Sequence, residues 1–301
     1  MKTKNIGVSE TERVALPAKD GYPLTMFRYH STGKSKGNIL VAGATGVPQR
    51  FYSRFAEYAR QRGFNVYTLD YRGIGESKPR SLSGFVMRYL DWAQLDLAAA
   101  VDHVTVDRLP LFVVGHSFGG HAIGLLPNHD RISKVYTFAT GAGWHGWMPY
   151  REQFKVLFMW NVIGPVLTVI MGYLPGKVIG LGEDLPLGVY QDWRRWCKFP
   201  RYFFDDPKMT DLSHRFSKVN VPFVAANALD DLWAMPRSRD AFMAAYVGAE
   251  VKLLDVDPAV IGAIGHMGYF KKSAEPLWSD VLNWFDLAKV PQTSNNPHDV
   301  L

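Results

Sequence analysis

The sequence predicts an α/β fold with a mostly parallel, twisted sheet flanked by helices. Six short apolar runs, rich in β-branched residues, alternate with helical stretches, and runs of this kind are typical of parallel strands buried on both faces. In 301 residues, 47% hydrophobic and 21% charged types allow one large core. The alternation fails once, over about 75 residues between the fourth and fifth runs, which predicts an inserted helical cap.

An antiparallel hairpin is predicted ahead of the parallel strands. Residues 13–16 and 24–29 alternate apolar and polar side chains on either side of the Asp20-Gly21 turn signal. The apolar runs that follow are joined by predicted right-handed crossovers. The predicted strands are residues 38–42, 65–69, 111–114, 134–138, 222–226 and 251–254, and the predicted helices are residues 52–62, 92–104 with Asp91 as N-cap, 119–126, 237–247 and 277–287.

This pattern divides the chain into a core and an insertion. Residues 1–140 and 216–290 are predicted to form the core, residues 141–215 the helical cap, and residues 291–301 a frayed tail. The cap holds five of the nine tryptophans and is expected to cover the carboxyl ends of the strands, where α/β sheets bind ligands.

One segment of the cap raises the question of a membrane span. Residues 156–176 carry no charge over nearly the length of about 20 residues that a span requires. Asn161, the Gly164-Pro165 pair and Gly172 are expected to break the run into two short helical pieces that cover a pocket. A membrane span is therefore not expected.

Composition argues against several classes of function. The 34 Lys and Arg residues exceed the 28 Asp and Glu residues, for a formal charge of +6, but they are scattered, so no nucleic-acid partner is expected. The single cysteine, Cys197, excludes an internal disulfide, and the first twenty residues contain no apolar signal segment, which favours a cytoplasmic location. No metal or nucleotide motif is present, so neither a metal nor a cofactor is predicted. A homodimer is left open.

A nucleophile motif lies where a predicted strand gives way to a helix. Residues 115–119 read Gly-His-Ser-Phe-Gly, the pattern G-x-S-x-G in the strand–turn–helix context that it requires. The glycines allow strand and helix to pass closely around a strained turn that exposes Ser117, the predicted nucleophile. The free amide of Phe118 at the new helix N-terminus is the predicted first oxyanion donor.

A second motif and the first together carry a family resemblance over nearly the whole chain. Residues 70–77, Asp-Tyr-Arg-Gly-Ile-Gly-Glu-Ser, are similar to the D-x-R-G-x-G-x-S turn of the α/β-hydrolase superfamily, and residues 115–120 resemble its nucleophile elbow. The resemblance is closest to the serine aminopeptidase-like and lysophospholipase-like branch. It implies the α/β-hydrolase fold and a catalytic triad in the chain order Ser, Asp, His.

The acid and the base follow in that order. Asp231 lies after the predicted strand 222–226, at the position that the resemblance assigns to the acid, with the adjacent Asp230 as the alternative. His266 lies on a glycine-rich loop before the last helix, and a loop allows an imidazole to place one nitrogen toward each partner. Ser117, His266 and Asp231 are therefore the predicted nucleophile, base and acid.

The second oxyanion donor is predicted in the loop after the first parallel strand. Many relatives have His-Gly there, whereas this chain has Ala42-Gly43. Because the donor is a backbone amide, the change of side chain leaves it available in principle. The amide of Ala44 is the predicted donor, with Thr45 as the alternative.

These residues predict a serine hydrolase that acts through an acyl-enzyme. The aromatic cap favours a small-molecule ester with an apolar acyl or aryl group. Thioesterase and aminopeptidase activities remain alternatives, as does a non-hydrolytic lyase or binding protein on the same fold. An aminopeptidase needs carboxylates for the substrate amine, and the cap offers Glu183, Asp184, Asp192, Asp205 and Asp206.

Four other reactive residues are given structural roles. His116 is the variable residue of the elbow, and His121 is expected on a helix surface. His145 is expected to be a hydrogen-bonded cap histidine rather than part of the pocket, and Cys197 a small core hydrophobe, because no elbow surrounds it.

Overall fold

A computed structural model describes residues 11–286 of the chain. The predicted tail, residues 291–301, lies outside the described residues. The strands are β1 Thr11–Pro17, β2 Pro23–Tyr29, β3 Asn38–Ala42, β4 Asn65–Asp70, β5 Leu111–His116, β6 Lys134–Phe138, β7 Tyr173–Leu174, β8 Leu185–Pro186, β9 Phe223–Ala228 and β10 Val251–Val256.

Eight of these strands form one mostly parallel sheet, as predicted. Their order is β1-β2-β4-β3-β5-β6-β9-β10, in which β2 runs antiparallel to its neighbours β1 and β4, and the six strands from β4 onward in this order are parallel to one another. The predicted hairpin is confirmed, with Leu16 paired to Leu24. The central strands are wholly buried, but β10 is an edge strand on which Leu253 is 44% exposed, so the expectation that this strand is covered on both faces is wrong.

Helices cover both faces of the sheet. One hydrophobic cluster contains residues of α1 and α11, and a second contains residues of α2, α3 and α9. The helices are α1 Ser53–Arg60, α2 Ala98–Val104, α3 Phe118–His121, α4 Tyr150–Phe158, α5 Gly164–Met171, α6 Gly176–Ile179, α7 Leu187–Trp196, α8 Leu212–Ser217, α9 Pro236–Met243, α10 Pro258–Ile261 and α11 Glu275–Phe285.

Helix α2 begins differently from the prediction. A wide π turn, Trp92–Leu97, leads directly into α2, and Asp91 forms no capping bond at its start. The Asp91 carboxylate instead accepts a hydrogen bond from the Arg88 amide, three residues earlier, at 2.8 Å. The predicted N-cap is therefore wrong, because this side chain is used by the preceding turn.

The insertion between β6 and β9 contains one long helix where two short pieces were expected. Helix α4, a π turn at Met159–Ile163 and α5 are continuous, and we call the whole of Tyr150–Met171 the cap helix. Proline lacks an N–H and its ring presses on the carbonyl four residues back, and a wider π turn just ahead of Pro165 relieves both problems. The helix ends at Gly172, whose φ is +76°. Among the described residues, the cap helix is the one helix that is long enough and apolar enough to cross a membrane.

Candidate active site

Ser117 lies in a strained turn between β5 and α3. Its φ of 52° and ψ of −110° lie outside the regions that most residues adopt. A Cβ on Gly115 would lie 2.7 Å from the Gly120 amide nitrogen, and a Cβ on Gly119 would overlap the Ala42 carbonyl. Both glycines are therefore required for strand and helix to approach, and the serine stands at the carboxyl edge of the sheet.

The structure brings the three predicted reactive residues together. The Ser117 Oγ lies 3.1 Å from Nε2 of His266, and Nδ1 of His266 lies 3.0 and 3.1 Å from the two carboxylate oxygens of Asp231. An ionised carboxylate only accepts hydrogen bonds, so Nδ1 donates to it and Nε2 is left to accept the serine proton. The result is a continuous hydrogen-bonded chain from hydroxyl to carboxylate.

The neighbouring carboxylate faces the other way. Asp230 accepts the backbone amides of Ile264 and Gly265 at 2.9 and 3.1 Å, and so fixes the loop that carries the histidine. Asp231 is the carboxylate that contacts His266, in agreement with the register preferred from the sequence. The two adjacent acids therefore have separate structural roles, one on the loop backbone and one on the imidazole.

The carboxylate of Asp231 is fully buried and fully partnered. Burial alone would raise its pKa, but the His266 imidazole and the amides of Trp233 and Ala234 outweigh burial and lower it. The hydroxyl of Tyr269 also donates to it, at 3.4 Å. Asp231 is therefore held ionised beside an imidazole that gains charge when it takes a proton.

One of the two predicted oxyanion donors is already occupied. The amide of Phe118, at the start of α3, donates to no acceptor among residues 11–286, whereas the amide of Ala44 donates to the Tyr52 hydroxyl at 2.8 Å. The assignment to Ala44 is therefore wrong for this conformation, because its N–H cannot serve two acceptors in different directions. The amide of Thr45, the alternative, has no acceptor within the same range of described residues.

Two pockets meet at the serine and the histidine. An inner pocket and an outer pocket share Ser117, His266, Trp193 and Trp233 in their walls. Neither lining includes Asp, Glu, Lys or Arg among the described residues. The inner pocket adds His121, Ala139, Gly141, Gly143, Met148, Val156, Trp160, Cys197, Tyr202 and Ala234, and the outer pocket adds Ala44, Thr45, Val47, Gly180, Leu181, Gly182 and Met267.

Comparison with known families agrees with this geometry. Residues 33–170, which contain the elbow and the D-x-R-G-x-G-x-S turn, match the family described as serine aminopeptidase, S33. The chain has the α/β-hydrolase fold. No curated protein matches it with significant similarity.

Solved structures share the fold of this chain at low identity. A soluble variant of monoglyceride lipase from Saccharomyces cerevisiae superposes with a TM-score of 0.62 at 15% identity, covering 95% of this chain and 98% of that one. An esterase of Pyrococcus furiosus superposes at 0.62 with 14% identity, covering 94% and 92%. A serine hydrolase without a lid from Xanthomonas campestris superposes at 0.54 with 13% identity, covering 95% and 98%. At these identities the likeness establishes the fold alone.

The second motif, residues 70–77, is structural. Asp70 accepts the amides of Gln49 and Glu76, and Arg72 forms ion pairs with Asp20 and Asp96. Burial raises the pKa of Asp96 to about 6 although the Arg72 guanidinium opposes the rise. These contacts hold the turn after β4 and keep it out of the two pocket linings.

A buried network that the sequence did not reveal joins the two loops of the site. His116 Nε2 donates to the carbonyl of His266 at 2.9 Å, so its Nδ1 accepts the Tyr52 hydroxyl at 3.0 Å. The same hydroxyl accepts the Ala44 amide. Burial, with the neighbouring His266 imidazole, lowers the pKa of His116 to about 3, so it stays neutral. The only signal in the sequence was a histidine next to the nucleophile, and nothing there pairs it with Tyr52.

His121, Cys197 and His145 lie in different surroundings. His121 is buried, lines the inner pocket and donates to the Gly141 carbonyl, so the expected helix-surface position is wrong. Burial lowers its pKa to about 4. Cys197 is buried, and burial raises the pKa of its thiol, which makes it a poor nucleophile. His145 packs against the Trp144 ring and lines neither pocket.

The cap carboxylates that an aminopeptidase reading would use are all in ion pairs outside the two pockets. Among residues 11–286, no group of His, Cys, Asp and Glu is arranged to hold a metal ion either. The ion pairs are Glu183 with Lys177, Asp184 with Lys78, Asp192 with Arg88, Asp205 with Arg201, and Asp206 with Arg195.

Proposed function

We propose that the protein is a serine hydrolase that cleaves a carboxylic ester with an apolar acyl or aryl group. The observation that carries the proposal is the hydrogen-bonded chain from Ser117 through His266 to Asp231, placed where two uncharged pockets meet. A nucleophile, a base within hydrogen-bond reach and a group that orients the base are the requirements for acyl transfer.

The reaction has two steps. His266 Nε2 takes the Ser117 proton as the oxygen attacks the acyl carbonyl, and it then returns that proton to the leaving alcohol. Water next attacks the acyl-enzyme with His266 again as base, which releases the acid and restores the serine. Asp231, whose pKa is lowered in place, stabilises the imidazolium that forms in each step.

The oxyanion of each tetrahedral intermediate is assigned to the amides of Phe118 and Thr45. Both amides lack acceptors among residues 11–286, and Thr45 lines the outer pocket beside Ser117. A single donor of this kind typically contributes about 2.7–4 kcal/mol to lowering the barrier. The loop after β3 therefore serves through its backbone, and the loss of the His-Gly pair of many relatives does not disable it.

The pocket linings favour an ester over an amino-terminal amide. A protonated amine needs a carboxylate, and the five candidate carboxylates of the cap are each paired with Lys or Arg away from both pockets. Indole rings of Trp160 and Trp193, by contrast, gain from covering apolar surface. The aminopeptidase alternative therefore has no site for its substrate's charge in this conformation.

A fluorophosphonate probe and an ester panel test the proposal. The parent protein is expected to be labelled, Ser117→Ala is not, and Ser133→Ala, which removes an exposed hydroxyl at the start of β6, is expected to be labelled like the parent. Turnover of p-nitrophenyl esters is expected to rise with acyl chain length and then fall when the inner pocket is filled.

Two outcomes would reject the proposal. Absence of labelling in a folded parent protein would favour a binding protein or a lyase on the same fold. Labelling with turnover of aminoacyl p-nitroanilides, but not of any ester, would favour the aminopeptidase.

A further inference from the structure

The cap helix has two apolar faces. Its inner face carries Val156, Trp160, Gly164 and Thr168, four residues apart, all buried, and the first two line the inner pocket. Residues two positions along a helix are rotated by about 200°, so the neighbours of these residues point away from the protein. A helix that is apolar all round and packed on one side only leaves the other side unpartnered.

The outer face is a continuous apolar stripe. Phe154, Phe158, Val162, Val166 and Ile170 follow one another at four-residue spacing, and their exposed fractions run from 47% to 71%. Tyr150, at 84%, begins the stripe, and Val169, at 86%, lies beside its end. Single exposed apolar residues are ordinary, but a contiguous stripe of this size on a protein surface marks an interaction site.

The exposed charge at the two ends of the stripe is mostly basic. At one end, Lys155 is 69% exposed and pairs with Glu152, which is only 17% exposed, and Arg151 lies beside them. At the other end, Lys177 is 57% exposed and pairs with Glu183, which is only 10% exposed. An apolar face with basic residues at its borders complements a surface of apolar chains and anionic headgroups.

A second copy of the chain fits the stripe less well. If two cap helices paired parallel, Arg151 would lie against Arg151. If they paired antiparallel, it would lie near Lys177, Glu183 and Asp184, whose carboxylates are already in ion pairs, so neither arrangement offers Arg151 an unpaired carboxylate. A membrane span fits less well too, because it would withdraw Val156 and Trp160 from the pocket that they line.

We infer that the cap helix lies flat on an anionic phospholipid bilayer, with its outer apolar stripe buried at the level of the headgroups. Its 22 residues give a contact about 33 Å long. One consequence rests on the proposed function: because the same helix forms a wall of the inner pocket, an apolar ester dissolved in the membrane is a suitable substrate class for Ser117.

Vesicle co-sedimentation tests this inference. Full-length Ser117→Ala protein, which cannot turn over lipid, is mixed with phosphatidylcholine vesicles and with mixed phosphatidylcholine–phosphatidylglycerol vesicles. We expect binding to the mixed vesicles that weakens at high salt. The double variant Phe154→Gln, Val166→Gln is expected to lose at least about tenfold in vesicle affinity, because two exposed apolar side chains no longer enter the bilayer. The control Val106→Gln, Val247→Gln, which alters valines 78% and 77% exposed elsewhere, is expected to bind like the parent.

Sedimentation without lipid separates the competing occupants. A dimer that the Phe154→Gln, Val166→Gln pair dissociates, with no binding to either vesicle, would overturn the inference in favour of a second copy. Equal binding by both double variants would overturn it as well. Hydrolysis of a water-soluble ester is measured on the same variants with Ser117 intact and is expected to be unchanged. If the parent protein hydrolysed no ester, the proposed function would be rejected, but the vesicle result would still stand.

Discussion

The carboxyl edge of the sheet buries polar groups, whereas the outer face of the cap helix exposes apolar ones. At the sheet edge, polar groups are buried and paired: Asp231 accepts bonds from His266, Trp233 and Ala234 with no exposure of its side chain. On the cap helix, apolar side chains such as Phe154 and Val169 are mostly exposed, although the same helix buries Trp160 on its other side.

The difference shows which contacts fix the side-chain arrangement of each region. Buried polar groups cost several kcal/mol when left unpaired, so the sheet edge admits one arrangement of its side chains. Exposed apolar groups cost little in the isolated protein and gain only when something covers them. The first region is therefore defined by contacts inside the chain, and the second by contacts that the chain makes with its surroundings.

The largest effect is expected when the carboxylate that contacts His266 is changed, and the adjacent carboxylate provides the control. Asp231→Asn is expected to lower kcat/KM by about 10⁴-fold, because an amide at this place favours the wrong imidazole tautomer. Asp230→Asn, its matched control, changes only contacts to the Ile264 and Gly265 amides and is expected to cost about tenfold or less. Steady-state kinetics on an activated ester measure both, and equal losses would contradict the separation of roles.

A steric change tests how tightly the same edge is packed. Gly119→Ala places a Cβ on the Ala42 carbonyl and is expected to lower the free energy of unfolding by about 3 kcal/mol or more. Gly33→Ala, at a site with open space and ordinary φ, is expected to change it by less than about 0.5 kcal/mol. Urea denaturation of both variants measures this, and a stable Gly119→Ala protein would show that the elbow can relax.

The buried His121 makes the free energy of unfolding depend on pH. Burial lowers the pKa of His121 from 6.5 to about 4, so below pH 6.5 the unfolded chain binds a proton that the folded chain refuses. This contribution to stability is present above pH 6.5 and is lost as the pH falls, by about 2.5 kcal/mol at about pH 4.5. The slope of unfolding free energy against pH is expected to be smaller in His121→Gln, and an unchanged slope would contradict burial as the cause.

The smallest expected effect belongs to the cap helix. Val169→Gln on its outer face is expected to change the free energy of unfolding by less than about 0.5 kcal/mol. Val156→Gln on its inner face buries an amide against the inner pocket and is expected to cost about 2 kcal/mol or more. Thermal or urea unfolding compares the two, and similar losses would mean that the outer face is packed in the isolated protein.

The sequence predicted the sheet because buried strands depend on local patterns, and it named Ser117, Asp231 and His266, which the structure brings within hydrogen-bond distance of one another. Short β-branched runs identify buried strands, and the spacing of glycines around Ser117 is a steric requirement that few other structures share. The choice of Asp231 and His266 depended on the family resemblance, which implies the chain order Ser, Asp, His, and on the loops that follow the two strands. Strand β10 was the exception, since an edge strand has one partner fewer and its apolar residues do not report that.

The remaining features depend on contacts between distant segments or on the environment. The Tyr52 hydroxyl captures the Ala44 amide through folding alone, so the oxyanion assignment from the loop sequence failed. The cap helix continues through Asn161 and Pro165 because a local widening of the helix removes the clash that proline creates. No residue pattern in the segment predicts such a turn. From the sequence alone, the outer face of the cap helix cannot be told from the buried face of a core helix, but in the structure it is exposed.

The Tyr52 hydroxyl links the two loops on which the proposed mechanism places its base, His266, and one oxyanion donor, Thr45. Through His116 it is hydrogen-bonded to the backbone carbonyl of His266, and it also accepts the amide of Ala44, the residue before Thr45. We therefore expect a ligand that displaces one of these loops to shift the other through the same hydrogen bonds, although Tyr52 lines neither pocket.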